Sequence, residues 1–96
     1  MSGGLHFEWD PEKALSNFRK HDLSFEEAST AFGDPASISI VDPDHSETEQ
    51  RWILLGMSTQ GKLLVVVHTE RRDNIRIISA RRATRRERRT YESKRN

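Results

Sequence analysis

The chain has 96 residues, no cysteine, a hydrophobic fraction of 33%, a charged fraction of 32% and a formal net charge of +1. That length suits one domain, residues 1–96, with one core and no spacious cofactor chamber; without cysteine, disulfides and thiolate metal sites are excluded. The longest apolar run, Leu63–Val67, is too short to span a membrane, and Met1–His6 carries no apolar signal segment, so a cytoplasmic protein with no membrane partner is expected.

Charge is unevenly placed. Residues 71–96 hold eleven Lys/Arg against three Asp/Glu, whereas residues 1–70 hold five against twelve. Such asymmetry suggests either a polyanion partner for the basic end or mutual neutralisation of the two ends in the fold.

Leu5–Trp9 alternates apolar and polar residues and reads as a short strand. Asp10-Pro11 then starts a helix, with Asp10 as cap and proline at the first helical position. It should run to about Lys20 with Ala14, Leu15 and Phe18 inward. Ser24-Phe25-Glu26-Glu27 is a capping box opening a second helix, which Gly33 should stop in the left-handed region before Pro35. Beyond Pro35 the period becomes strand-like. Strands are expected at Ser37–Val41, Arg51–Met57, Lys62–Thr69 and Ile75–Arg81, joined as an antiparallel meander. Leu63–Val67 is apolar on both faces and should be central. Thr84-Arg85-Arg86-Glu87 is a second capping box, opening a helix to about Ser93. The order β-α-α-β-β-β-β-α implies a two-layer α+β fold, an antiparallel β-sheet packed by two N-terminal helices and a C-terminal helix.

Chemistry-bearing residues concentrate late in the chain. Strict alternation puts Ile75, Ile77, Ser79 and Arg81 on one face of the fourth meander strand and Arg76, Ile78, Ala80 and Arg82 on the other. Arginine offers a fixed fork of donors that matches phosphate. Arg85 and Arg86 lie in a first helical turn, where the helix dipole disfavours cations unless an anion is near. His68, beside Glu70, could act as a general acid or base, or simply pack at a strand end. Lys20 and His21 suit a helix C-terminus or an anionic ligand. Tyr91 could stack on a base, donate to a phosphate or pack at the core edge, and Trp9 and Trp52 suit core or interface anchors. Asp42, Asp44, His45, Glu47 and Glu49 have no EF-hand or zincin spacing, so they read as a solvated loop or a dock for a basic partner, and no metal is expected. Walker, dinucleotide and nucleophile-elbow motifs are missing, so no cofactor is expected.

Several segments taken together resemble the BrnT family of toxins (the DUF497 domain). These are Phe7-Glu8-Trp9-Asp10; Asn17-Phe18-Arg19-Lys20-His21 with Ser24-Phe25-Glu26-Glu27-Ala28; Phe32-Gly33-Asp34-Pro35; Glu49-Gln50-Arg51-Trp52 with Gly56; and Arg76-Ile77-Ile78-Ser79-Ala80-Arg81 with Glu87 and Tyr91. The resemblance implies a RelE-like fold, endoribonuclease activity in a type II toxin–antitoxin system that arrests growth, and neutralisation by a cognate BrnA-like antitoxin. Through that antitoxin the complex would reach operator DNA indirectly.

A metal-independent cleavage, in which the ribose 2′-OH attacks the neighbouring phosphate, is then the expected reaction. Arg76 and Arg81 would hold the phosphate, His68 or His21 would move protons, and Tyr91 or Trp9 would stack a base. Catalytic candidates are therefore Arg76, Arg81, His68 and Tyr91; RNA-binding candidates are Lys20, His21, Arg51, Arg82, Arg85 and Trp9. The alternative is a non-catalytic nucleic-acid-binding or protein-interaction module.

Overall fold

The computed structural model describes residues 5–44 and 49–94. Strand β1 (His6–Glu8) is followed by helices α1 (Pro11–His21) and α2 (Phe25–Thr30), the latter extended by a short 3₁₀ turn, Ala31–Gly33. Strands β2 (Ile38–Val41), β3 (Arg51–Met57), β4 (Leu63–Arg71) and β5 (Asn74–Arg82) come next, then helix α3 (Arg85–Lys94). The sheet order is β1-β5-β4-β3-β2, with β4 in the middle. Strands β2 to β5 pair antiparallel in sequence order, while β1 returns to pair parallel with β5. The parallel β1–β5 pairing falls outside the meander that local signals describe. No helix among the described residues is long and apolar enough to cross a membrane.

The core lies between one face of the sheet and the N-terminal helices. Leu23, Phe25, Ala28 and Ala31 from the helical side meet Leu54, Leu64, Val66, Ile77 and Ala80 from the strands. Gly56 is essential to this fit: a Cβ there would stand 2.8 Å from the backbone oxygen of Ala31.

Helix α1 starts as its cap predicts, with the Glu12 amide donating to Asp10 Oδ1 at 2.9 Å. Its packing differs from expectation. Leu15 and Phe18 are about half exposed, and Asn17 is buried instead. The reason lies in β5. Strand β1 covers only Asn74–Arg76, so farther along β5 the backbone needs another partner. Asn17 supplies it: its Nδ2 donates to the Ala80 carbonyl at 2.9 Å and its Oδ1 accepts from the Ala80 amide at 3.1 Å. An unpaired buried backbone group costs about as much as a lost hydrogen bond, which outweighs a better apolar stripe on α1. The left-handed residue that ends a helix is Asp22 (φ 56°), whereas Gly33 ends a 3₁₀ turn and adopts no positive φ.

Asp34 joins three elements. Its Oδ1 accepts from the Ala36 amide at 2.9 Å, and its Oδ2 accepts from the Met57 amide at 2.8 Å and the Tyr91 hydroxyl at 2.6 Å. Helix α3 is thereby anchored across the sheet face that the N-terminal helices leave open.

Candidate functional site on the open face of the sheet

Cross-strand partners point to the same side of a sheet, so the register identifies what the open face carries. One row is Ile38, Leu55, Val65 and Arg81; the next is Ile40, Ile53, Val67 and Ser79; beyond a break comes Arg51, Thr69 and Arg76. The break is a β-bulge. Val67 pairs with Ser79 but His68 pairs with Ile77, leaving Ile78 as an extra residue on β5. This overturns the face assignment from strict alternation. Ile75, Ile77 and Ala80 face the core, whereas Arg76, Ser79 and Arg81 share the open face. A bulge re-aims side chains in this way and is common beside functional sites.

His21, Ser79, Arg81 and Glu87 line a cleft of about 240 Å³ whose floor is Ile40, Ile53, Val65 and Val67. Each element contributes for a local reason. Asn17 fixes α1 against β5, so the C-terminus of α1 delivers His21 to the cleft. The bulge turns Arg81 inward. Thr84 and Glu87 form a complete capping box: the Glu87 amide donates to Thr84 Oγ1 at 3.1 Å, and the Thr84 amide donates to Glu87 Oε1 at 2.8 Å. With Glu87 fixed at the start of α3, its carboxylate accepts two bonds from Arg81, both 2.9 Å. This bidentate pair, with the Thr84 amide assisting, holds the Glu87 carboxyl at about 2, well below its ordinary 4.5, and raises Arg81 further. Glu87 is thus a fixed anion near neutral pH, unsuited to accept a proton, and Arg81 is a fixed cation whose planar head has a set orientation.

At the other end of the open face Arg76 donates to Glu8 Oε2 at 3.2 Å, and Arg71 forms an ion pair with Glu49. The Arg71 guanidinium, helped by Arg76 and Arg51, holds the Glu49 carboxyl below its ordinary range.

The remaining candidates are scattered. His68 is fully buried on the core side, its ring edge-to-face on Phe32 at 4.7 Å, with Nε2 3.3 Å from Glu70 Oε2. Burial lowers its pKa, and the structure does not bring it to the cleft. Tyr91 is 2% exposed and spends its hydroxyl on Asp34, so its ring is not presented for stacking. Trp9 packs edge-to-face on Phe25 at 5.8 Å, beside the core. Lys20, Arg82 and Arg85 are exposed on α1, the end of β5 and the first turn of α3. Of the acidic loop, His45 and Glu47 lie outside the described residues; among those described, no three His, Asp or Glu side chains gather as a metal site. The residues of this site that sequence reasoning missed are Asn17, Ser79 and Glu87, the last read only as a helix cap. Asn17 had a signal, a polar residue on an otherwise inward helical face.

A family model described as "Ribonuclease toxin, BrnT, of type II toxin-antitoxin system" matches residues 9–87. Among solved structures, the crystal structure of the Brucella abortus ribonuclease toxin BrnT is similar in fold, with a TM-score of 0.62 at 20% identity over 85% of this chain and 100% of that one. No curated protein matches. The matched segment begins at Trp9 and ends at Glu87, taking in α1, the whole sheet from β2 to β5 and the Arg81–Glu87 pair, and the chain belongs to the BrnT family of ribonuclease toxins of type II toxin–antitoxin systems.

Proposed function

We propose that this chain is an endoribonuclease that cleaves RNA without a metal ion in the cleft between α1, β5 and α3. The observation that carries the reading is the convergence of His21 with an arginine, Arg81, whose orientation is set by Glu87. His21 in its neutral form takes the proton of a ribose 2′-OH, and the oxygen attacks the adjacent phosphorus. Arg81 stabilises the charge that develops on the phosphate oxygens, usually the largest contribution to such catalysis. The P–O5′ bond breaks, the leaving oxygen takes up a proton from water, and a 2′,3′-cyclic phosphate remains. Ser79 lies beside Arg81 in the same cleft and suits a hydrogen bond to the phosphate or to a ribose.

The exposed cations Lys20, Arg82 and Arg85 supply non-specific attraction for the RNA backbone. In this reading the fold is RelE-like and residues 1–96 form one domain acting in the cytoplasm. A cognate BrnA-like antitoxin then silences growth arrest and links the pair to operator DNA. Incubating the purified chain with labelled RNA in EDTA tests the activity: a ladder of fragments ending in cyclic phosphate is expected, and its loss in His21→Ala. Binding without cleavage would leave a nucleic-acid-binding module instead, and a strict divalent-metal requirement would overturn the mechanism.

A further inference from the structure

Thr69 is the one described residue whose buried side-chain oxygen lacks any hydrogen-bond partner. It is 2% exposed, and a buried unsatisfied hydroxyl is a cost to the fold that calls for a reason. Its position supplies one. Thr69 pairs with Arg51 on β3 and with Arg76 on β5, so the three side chains form a row on the open face. Arg76 has an acidic neighbour in Glu8 and Arg71 has one in Glu49, but Arg51 has no ion pair among the described residues. A threonine hydroxyl between two guanidinium forks, one of them in no ion pair and drawn to Glu49 only at longer range, is a donor set for a phosphate oxygen.

We infer that Arg51, Thr69 and Arg76 form a second phosphate subsite for single-stranded RNA, separate from the cleft at Arg81. The inference rests on the reading that RNA lies along this face. Register separates the two positions: Arg76 pairs with Thr69 and Arg81 with Val65, four residues apart on β4 or roughly 13 Å at the usual rise, and each guanidinium is held by its own carboxylate, Glu8 or Glu87. The phosphate here belongs to a nucleotide away from the scissile bond, and Arg76 is a positioning residue for the strand. On binding, the anion competes with Glu8 for Arg76, the flanking side chains part, and Thr69 donates the bond it lacks in the free protein.

Thr69→Val separates this role from a structural one, because it keeps the shape and removes only the hydroxyl. A merely buried hydroxyl would leave ligand binding untouched, and its removal raises or preserves the melting temperature. The probe is a fluorescent oligoribonucleotide with 2′-O-methyl riboses, which cannot be cleaved, followed by anisotropy over a salt series. The expected result is about five- to tenfold weaker binding by Thr69→Val at an unchanged or higher melting temperature. Arg51→Ala should lower the salt slope by about 0.7, the loss of one phosphate contact to a single strand. Unchanged affinity in Thr69→Val overturns the subsite, even where wild-type protein cleaves RNA. Wild-type binding with the Thr69→Val loss but no cleavage of ordinary RNA keeps the subsite and sinks the ribonuclease reading.

Discussion

Two tetrads of the form Ser/Thr-x-x-Glu open helices in this chain, and their glutamates do different work. In the first, the Glu27 amide donates to Ser24 Oγ at 3.0 Å, but the Glu27 side chain turns away from the cap. It is buried, accepts from the Ser58 hydroxyl at 2.9 Å and lies 3.5 Å from Lys62 Nζ, holding the β3–β4 turn against α2. In the second, Glu87 completes the cap and then holds Arg81 at the rim of the cleft. One motif thus serves the fold and the other shapes the candidate site. The difference arises from what each helix start faces: a turn with a serine hydroxyl and a lysine, or a strand end re-aimed by a bulge.

The sharpest break of this contrast is Arg81→Ala. It removes the cation but leaves the Thr84–Glu87 cap, so RNA cleavage should slow by about 10²–10³, roughly 2.7–4 kcal/mol of transition-state stabilisation, at a near wild-type melting temperature. Retained cleavage would remove Arg81 from the mechanism. Glu87→Gln follows. Its amide oxygen can still serve the cap, but the charge opposite Arg81 is lost, and cleavage should fall about ten- to a hundredfold. Stability should change by less than about 1 kcal/mol, since the pair is partly exposed; a large drop in melting temperature would make this box structural like the first.

Glu27→Ala should show the opposite pattern. It leaves Ser58 and Lys62 without their acceptor, at a cost of about 1–3 kcal/mol, or about 4–8 °C per kcal/mol in a domain of this size. The folded fraction should cleave RNA normally, which activity assays at low temperature would check.

The smallest effect concerns protons. Because the pKa of Glu87 is depressed to about 2, its contribution is complete above its ordinary 4.5 and is lost only as pH falls towards 2. The Arg81 pair is therefore constant between about pH 5 and 8. The pKa of buried His68 is lowered from 6.5, so the unfolded chain binds the extra proton and stability falls as pH drops below about 6.5. Melting curves at about pH 7.5 and 5.5 should separate in the wild type and separate less in His68→Gln.

Much of the scaffold is written locally. Asp10-Pro11 starts α1, Arg51–Met57 is β3 residue for residue, and the apolar run in Leu63–Val67 marks the middle strand. What escapes a local reading is set by partners distant in sequence. An extra residue in β5 is invisible to a period of two, so Ile78 hid the fact that Arg76 and Arg81 face the same way. His68 looks like an acid–base candidate because it follows an apolar run and precedes charges; only the pairing with Trp52 and Ile77 shows that it points into the core. His21, at a helix end, needed the docking of α1 on β5 before it could be distinguished from an ordinary C-terminal cation.

That docking has another consequence. A strand with a bare border invites a foreign strand, in a second copy or in an aggregate. Asn17 behaves as a plug on the stretch of β5 that β1 leaves bare, presenting one donor and one acceptor as a neighbouring strand would. That border is thus occupied at Ala80 by a side chain, whereas the opposite border, β2, is an edge strand of the sheet.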